Sequence, residues 1–458
     1  MNSNTLNNIL HYKNEWIKLH KLKKPLESFY SNIKNQKFLK RNTKNNPAFI
    51  LECKKASPSI GLLRTKFNIP KIIQVYKKYA SAISIVTENK FFKGKFKYLK
   101  QASQCTNKPL LCKDFFIDPY QIYYARYYQA DAILLMMSIL SNSQYVIMSN
   151  VAKKMNIDIV TEVHNISELH RALSLNADII GINNRNLKNL SIDLKTTCRI
   201  APLVPSDRIV ISESGINKYK QIRMLSRYVN GFLIGSHLMK SNSLKKTVCS
   251  MIYGKNKVCG LTRVEDAFIV KKSGSIYGGL FFYKSPRYIK LRDCKKITSQ
   301  VKLKYVGVFY NSCMKYILSR VIKLSLAVVQ LHGQENQDYI KKLRSLLPKN
   351  VKIWKALPVF NNFPIERYNY INCYLIDHKN GGTGKNLIGI LLKKNNVSKM
   401  MLAGGLKLNN IFQASTLGFC GLDLNSGLEI SPGIKDSKKI RHAFNIIKNF
   451  PAQYILKN

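Results

Sequence analysis

The chain has 458 residues, 45% of them hydrophobic, which excludes a disordered chain. Its longest apolar run, residues 132–140, falls far short of the ~20 residues that a membrane-spanning helix needs. Lys and Arg number 75 against 24 Asp and Glu, a net charge of +51. Such a charge suits nucleic acid, but Lys outnumbers Arg, Asn is abundant throughout, the cations are scattered, and no zinc-finger, RRM or KH pattern occurs. A coding bias toward Lys, Asn and Ile explains the charge better than a nucleic-acid interface does. The field still favours small anionic ligands.

The N-terminal segment has no apolar signal core; Leu6, Ile9, Leu10, Trp16, Ile17 and Leu19 fit a short amphipathic helix. Ten Cys without a C-x-x-C and eight His without an H-E-x-x-H give no disulfide framework and no metal site. A cytoplasmic monomer with reduced thiols, no metal or organic cofactor, and no nucleic-acid or membrane partner is expected. From about residue 48, apolar runs alternate with longer amphipathic segments: AFILECK, SAISIVTE, PLLCKDF, DAILLMMS, DIVTEV, DIIGINN, RIVISES and GFLIGS. Eight βα repeats predict a closed (β/α)₈ barrel. The pattern restarts at 257 with KVCGLT, SIYGGLFF, KYVGVFY, LAVVQLHG, VKIWKAL, CYLIDH, KMMLAGG and CGLDLNSG. The α/β chain thus reads as two consecutive (β/α)₈ barrels, 1–254 and 255–458, with the seam near Tyr253 to Asn256.

In such barrels the C-terminal ends of the strands carry the chemistry, and phosphate sits after strands seven and eight. In the first half those ends carry Glu52 and Lys54, Glu88, Lys113 and Asp114, Glu162, Asn183 and Arg185, Glu213 and Ser214, then Gly235 and Ser236. A buried charge is costly unless paired or used. One such residue reads as a structural ion pair; five strand ends with Lys or Glu read as a site. Ser214, Gly215 and Ile216, with Gly235 and Ser236, offer small residues and backbone amides for phosphate. In the second half Cys259, Arg287, His332 and Asp377 stand at strand ends, and Gly404, Gly405, Ser426 and Gly427 follow strands seven and eight. Cys259 reads as a buried small residue or, opposed by Asp377 across the mouth, as a proton acceptor. Gly381, Gly382, Thr383 and Gly384 form a Gly-rich stretch without the Lys-Ser/Thr ending of a P-loop.

The stretches ILECKKASPS, LLCKDFFIDPYQIYYARYYQADAILLM, TEVHN, GINNRNL and ISESGI resemble indole-3-glycerol-phosphate synthase. NKVCGLTR, YGGLFF with SPR, YVGVF, VQLHG, WKAL, the Asp-x-x-x-Gly-Gly-Thr-Gly stretch, LAGGL and NSG with PGIKD resemble phosphoribosylanthranilate isomerase. Together they resemble the bifunctional tryptophan-biosynthesis family, synthase first and isomerase second, over essentially the whole chain. The resemblance implies an Amadori rearrangement of N-(5′-phosphoribosyl)anthranilate in the second barrel, with Asp377 as acid and Cys259 as base. It implies Arg287 and His332 at the substrate, and Gly404, Gly405, Ser426 and Gly427 at its phosphate. It implies cyclisation and decarboxylation to indole-3-glycerol phosphate in the first barrel. There Lys113 is the general acid, Glu162 an acid or base in dehydration, and Lys54 binds anionic groups with Glu52 beside it. Asn183, Arg185, Glu213 and Ser214 fix the substrate, and Gly215, Gly235 and Ser236 hold phosphate. The substrates implied are small phosphorylated anthranilate derivatives. Three departures stand out: Ile60 where the family has Lys or Arg, a segment 282–285 one residue short, and KNLIG at 385–389 in place of Phe-Asp-Trp. A decayed isomerase barrel is the alternative; the acid and base present in both halves speak against it.

Overall fold

Strands buried on both faces need uninterrupted apolar runs rather than alternation, and the sixteen runs become sixteen strands in the computed structural model. The structure describes residues 4–31, 33, 47–187, 189–358, 368–377 and 397–449. The Gly-rich stretch at 381–384 and the departure at 385–389 lie outside the described residues. The chain divides into two compact units between Val248 and Cys249.

In the first unit the strands are β1 (Ala48–Cys53), β2 (Ala82–Val86), β3 (Leu110–Lys113), β4 (Ala132–Met136), β5 (Asp158–Val163), β6 (Ile179–Asn183), β7 (Ile209–Glu213) and β8 (Gly231–Ile234). They pair in parallel around a closed barrel in which β1 meets both β2 and β8. Ile50, Leu111, Leu134, Val160, Ile179, Ile211 and Leu233 fill its interior as one apolar cluster. Four of the described connecting helices start on side-chain caps, Asn68, Asp118, Ser141 and Asn165, that satisfy free N–H groups. Asp118 caps Pro119–Tyr127 and Ser141 caps Asn142–Lys154, each in a reciprocal capping box with a Gln three residues on. Ahead of the barrel, α1 (Asn4–Lys23) is longer than its apolar pattern suggested. It buries Ile9, Trp16 and Ile17, leaves Leu19 exposed, and buries Lys13. That lysine is tolerated on the apolar face because its Nζ lies 2.6 Å from Asp114 Oδ1, just past β3.

In the second unit β9 (Lys257–Val258), β10 (Tyr277–Phe281), β11 (Lys304–Phe309), β12 (Val328–Leu331), β13 (Lys352–Pro358), β14 (Cys373–Asp377), β15 (Met400–Ala403) and β16 (Gly421–Leu424) close a second parallel barrel. β9 pairs with both β10 and β16. Tyr277, Val306, Val328, Trp354, Leu375 and Met401 pack inside it. After β16 a short antiparallel hairpin, Glu429–Ser431 with Ile434–Lys435, folds over and carries two charged residues that matter below.

Candidate active sites

In the first unit the charged strand ends converge. Lys113 closes β3, and its Nζ lies 2.7 Å from Glu213 Oε2 at the end of β7 and 3.3 Å from Glu162 Oε2 on β5. Lys54 Nζ lies 2.6 Å from Glu52 Oε1. The carboxylates are buried, while the Lys113 side chain keeps 20% of its surface exposed, so the cation faces the opening. A cavity of about 160 Å³ holds Glu52, Lys54, Lys113, Glu162, Asn183 and Arg185 in its wall, with Phe92, Phe115, Leu134 and Met136 as an apolar side. Apolar walls with a few convergent polar groups describe a small-molecule site. Thr5, Leu6 and Ile9 of α1 complete that wall, a contribution the helical pattern alone does not reveal.

The two carboxyls facing Lys113 are biased in opposite directions. Burial alone raises a carboxyl, but the Lys113 ammonium and the His164 ring hold Glu162 down to about 2. Burial pushes Glu213 up; Lys113 opposes it, while Glu162 and Glu52 add to the rise. Burial also works against the charge on Lys113, yet Glu213, Glu162 and Glu52 keep its ammonium above the usual lysine range. His164 escaped the reading of strand ends, since it lies just past β5 as a lone His. It stands between two carboxylates, with Nε2 3.3 Å from Glu162 Oε1 and Nδ1 3.1 Å from Glu168 Oε2. Burial lowers its basicity and the two glutamates more than reverse this, to about 10. Glu213 Oε1 is buried and has no hydrogen-bond partner among the described residues, so one acceptor is left for a ligand.

A neighbouring cavity of about 300 Å³ is bordered by Ser214, Gly215, Ile216, Gly235 and Ser236, with Lys54 and Arg185. Ser214 and Gly215 both have positive φ, 65° and 80°, which turns the chain sharply after β7. A Cβ on Gly235 would stand 2.8 Å from Cδ of Glu52, so a larger residue there would displace that buried carboxylate. Arg185 gives one bond to the carbonyl of Leu190 at 2.9 Å. Asn183 Oδ1 accepts from the backbone N–H of Arg185 at 2.9 Å.

In the second unit Cys259 follows β9 directly and is buried. The nearest charge is not Asp377. Lys257, two residues earlier and fully buried, donates from Nζ to Cys259 Sγ at 2.8 Å and to Asp423 Oδ2 on β16 at 2.7 Å. Burial raises the Cys259 thiol and Lys257 pulls it back without cancelling the rise. Burial likewise raises Asp423, against Lys257, and Asp423 Oδ1 has no partner among the described residues. Asp377 ends β14 with its Oδ2 3.5 Å from His332 Nε2. Tyr283 packs against the cluster of Cys259, Phe281 and Val308, its ring 6.5 Å from that of His332. Burial raises its hydroxyl, and Cys259, Asp377 and Arg287 all act on it, so Tyr283 stands among the residues picked from the sequence.

Arg287 is held in a fork. Glu429 of the hairpin accepts from its Nε at 2.9 Å on Oε1 and from its Nη2 at 2.7 Å on Oε2, and Lys435 Nζ lies 2.7 Å from the same Oε1. Burial would raise Glu429, but Arg287 and Lys435 hold it at about 2. After β15, Gly404 and Gly405 both have positive φ, 81° and 61°. A Cβ on Gly427 would fall 3.0 Å from the carbonyl carbon of Leu406, so the loops after β15 and β16, carrying Gly404, Gly405, Ser426 and Gly427, touch.

Residues 6–251 match the family of indole-3-glycerol phosphate synthase, and residues 256–446 that of N-(5′-phosphoribosyl)anthranilate isomerase. The chain is 50% identical over 451 residues to the tryptophan biosynthesis protein TrpCF of Buchnera aphidicola from Acyrthosiphon pisum, covering 98% of this chain and 100% of that protein. It is 46% identical over 438 residues to TrpCF of Salmonella typhi, covering 95% and 97% of the two chains. A solved phosphoribosyl anthranilate isomerase from Thermotoga maritima is 30% identical and covers 43% of this chain and 98% of its own, with a TM-score of 0.39. With both halves matched in order and the relatives aligned nearly end to end, the chain belongs to the bifunctional tryptophan-biosynthesis family that joins an indole-3-glycerol phosphate synthase to a phosphoribosylanthranilate isomerase.

Proposed function

We propose that the chain performs two consecutive steps, each on its own cluster of residues. The seam lies near residues 253–256, and the enzyme is a cytoplasmic monomer acting on small phosphorylated anthranilate derivatives. The observation that carries the reading is Lys113, a cation at the cavity wall between two buried carboxyls of opposite bias. Environments that push two like groups apart assign an acid and a base.

In the second barrel Asp377 protonates the furanose ring oxygen of N-(5′-phosphoribosyl)anthranilate, which opens the ring to an imine. Cys259 then takes the C2′ proton, leaving the enol-amine that becomes carboxyphenylamino-deoxyribulose phosphate. The Lys257 ammonium beside Sγ stabilises the thiolate this cycle needs, at 2.8 Å. Arg287 has Nε and Nη2 committed to Glu429, which orients the guanidinium and leaves Nη1 for the anthranilate carboxylate. Gly404, Gly405, Ser426 and Gly427 take the phosphate, and His332 steadies Asp377.

In the first barrel Lys113 donates to the substrate carbonyl oxygen as the ring carbon attacks, and CO₂ leaves. Glu162, held as a carboxylate, takes the proton given up in the dehydration and returns it to the departing hydroxyl, which leaves as water. Lys54, oriented by Glu52, binds the anionic groups, Asn183 and Arg185 fix the substrate, and Ser214, Gly215, Gly235 and Ser236 cradle phosphate. The test is a separate assay of each half-reaction on the purified full chain, with the isomerase product supplied directly to the synthase. Turnover in both supports the reading; absence of isomerisation alone returns the decayed-barrel alternative.

A further inference from the structure

The cavity beside Gly215, Gly235 and Ser236 has an apolar side chain in its wall, Ile60, which is 39% exposed. Most of its positive groups are already engaged. Lys54 is paired with Glu52 and Lys113 with Glu213 and Glu162, and Arg185 is bonded to the Leu190 carbonyl. Two further basic residues line the same cavity from the turn after β8, His237 and Lys240. Burial holds the His237 imidazole below its usual range, so at neutral pH it is an uncharged hydrogen-bonding group. Lys240 is exposed and pairs with no carboxylate among the described residues.

The backbone around Lys240 is fixed from the opposite loop. Arg64, after β1, donates from Nε to the Met239 carbonyl at 3.2 Å and from Nη2 to the Ser241 carbonyl at 2.7 Å. It therefore grips both neighbours of Lys240 and ties them to the loop that carries Ile60. Leu238 and Met239 are buried and anchor the same turn. Four fixed cations (Lys54, Lys113, Arg185 and Lys240) border the cavity against two carboxylates, Glu52 and Glu213. Glu162 lies beside Lys113 as a third carboxylate, so Lys240 is the cation of the four left for a ligand's negative charge.

We infer that Lys240 is a phosphate-binding residue of the first barrel, supplying from the turn after β8 the positive charge that Ile60 does not supply from the loop after β1. The inference rests on the phosphate cradle proposed above. Its ligand is the terminal phosphate of the anthranilate-derived substrate, and inorganic phosphate is the probe.

The experiment measures ring closure by the full-length protein, with inorganic phosphate as competitor at constant ionic strength. In the unaltered enzyme phosphate competes with substrate. Lys240→Ala raises both KM and the phosphate inhibition constant about ten-fold, the scale of one lost charged hydrogen bond, with kcat nearly retained. Lys240→Arg keeps both constants, and Ile60→Lys in the Lys240→Ala background restores them. Lys220→Ala removes an exposed charge outside this cavity and changes neither. If Lys240→Ala leaves the inhibition constant unchanged while phosphate still competes, the role of Lys240 is overturned and the cradle stands. If phosphate does not compete in the unaltered enzyme, the cradle itself is misplaced and the inference falls with it.

Discussion

Both barrels place a lysine between a thiol or carboxyl and a second acid, yet at different depths. In the first, Lys113 ends its strand and keeps a fifth of its side chain exposed toward the cavity. In the second, Lys257 lies inside its strand, two residues before Cys259, and is fully buried with its ammonium on the sulfur. The first lysine is open to the cavity; the second is covered, with its ammonium on the sulfur. Each arrangement leaves one buried carboxylate oxygen without a hydrogen-bond partner among the described residues, on Glu213 and on Asp423. Under the proposed function, the same fold uses a lysine as an acid in one barrel and as a support for a base in the other, according to where the cation sits along the strand.

The largest effects come from exchanging the two chemistries. Cys259→Ala is expected to lower isomerisation by at least the 10²–10⁴-fold that a positioned base supplies and to leave ring closure unchanged. Lys113→Ala does the reverse. A Cys259→Ala enzyme unable to close the ring from supplied intermediate breaks the division of labour between the barrels.

Next comes depth. Lys257→Met leaves Asp423 buried without its cation, and losing one partner of a buried pair costs about 3–5 kcal/mol. The second unit should unfold at lower denaturant, and Asp423→Asn added to it should recover much of the loss. Equal midpoints for the single and double variants would mean that the pair does not hold β9 to β16.

A smaller effect is expected of His164→Gln. With its basicity raised to about 10, the imidazolium contributes stability that is complete below about pH 6.5 and lost as pH rises through 10. The variant should lose this alkaline dependence and about ten-fold in ring closure, since Glu162 loses one of its two cations. An imidazole proton resonance titrating near 6.5 would contradict the Glu162–His164–Glu168 chain.

The smallest effect distinguishes the acid limbs. Glu429 in the second unit and Glu162 in the first are both held at about 2. Depressed carboxyls contribute stability above their unfolded value of roughly 4.3 and lose it as pH falls toward 2. Glu429→Gln should flatten that fall for the second unit only, read as denaturation midpoints between pH 5 and 2. A flattening shared by the first unit would show that the limbs are not separate.

The barrels were legible in the sequence because parallel strands, covered on both faces, read as unbroken apolar runs, and charges that end such runs are conspicuous. All of the acids and cations picked at the ends of β1, β3, β5 and β7 line one cavity region of the first unit. The supporting residues were not legible. Lys257 and Asp423 each look like one charge inside a short strand, and what defines them is a contact across 166 residues. His164 gains its meaning from two glutamates on either side, and Tyr283 looks like one more aromatic in an aromatic run. The length of α1 was missed because Lys13 interrupts its apolar stripe, and only Asp114 explains why it is buried.

That last pair has a consequence for synthesis. Lys13 emerges from the ribosome about 100 residues before Asp114, an interval of roughly 5–20 s at ordinary rates. Throughout it, the face of α1 that carries Ile9, Trp16 and Ile17 has no barrel to dock on. The helix whose residues wall the finished cavity is therefore synthesised before the strand end it pairs with, and its apolar face stays unseated for that interval.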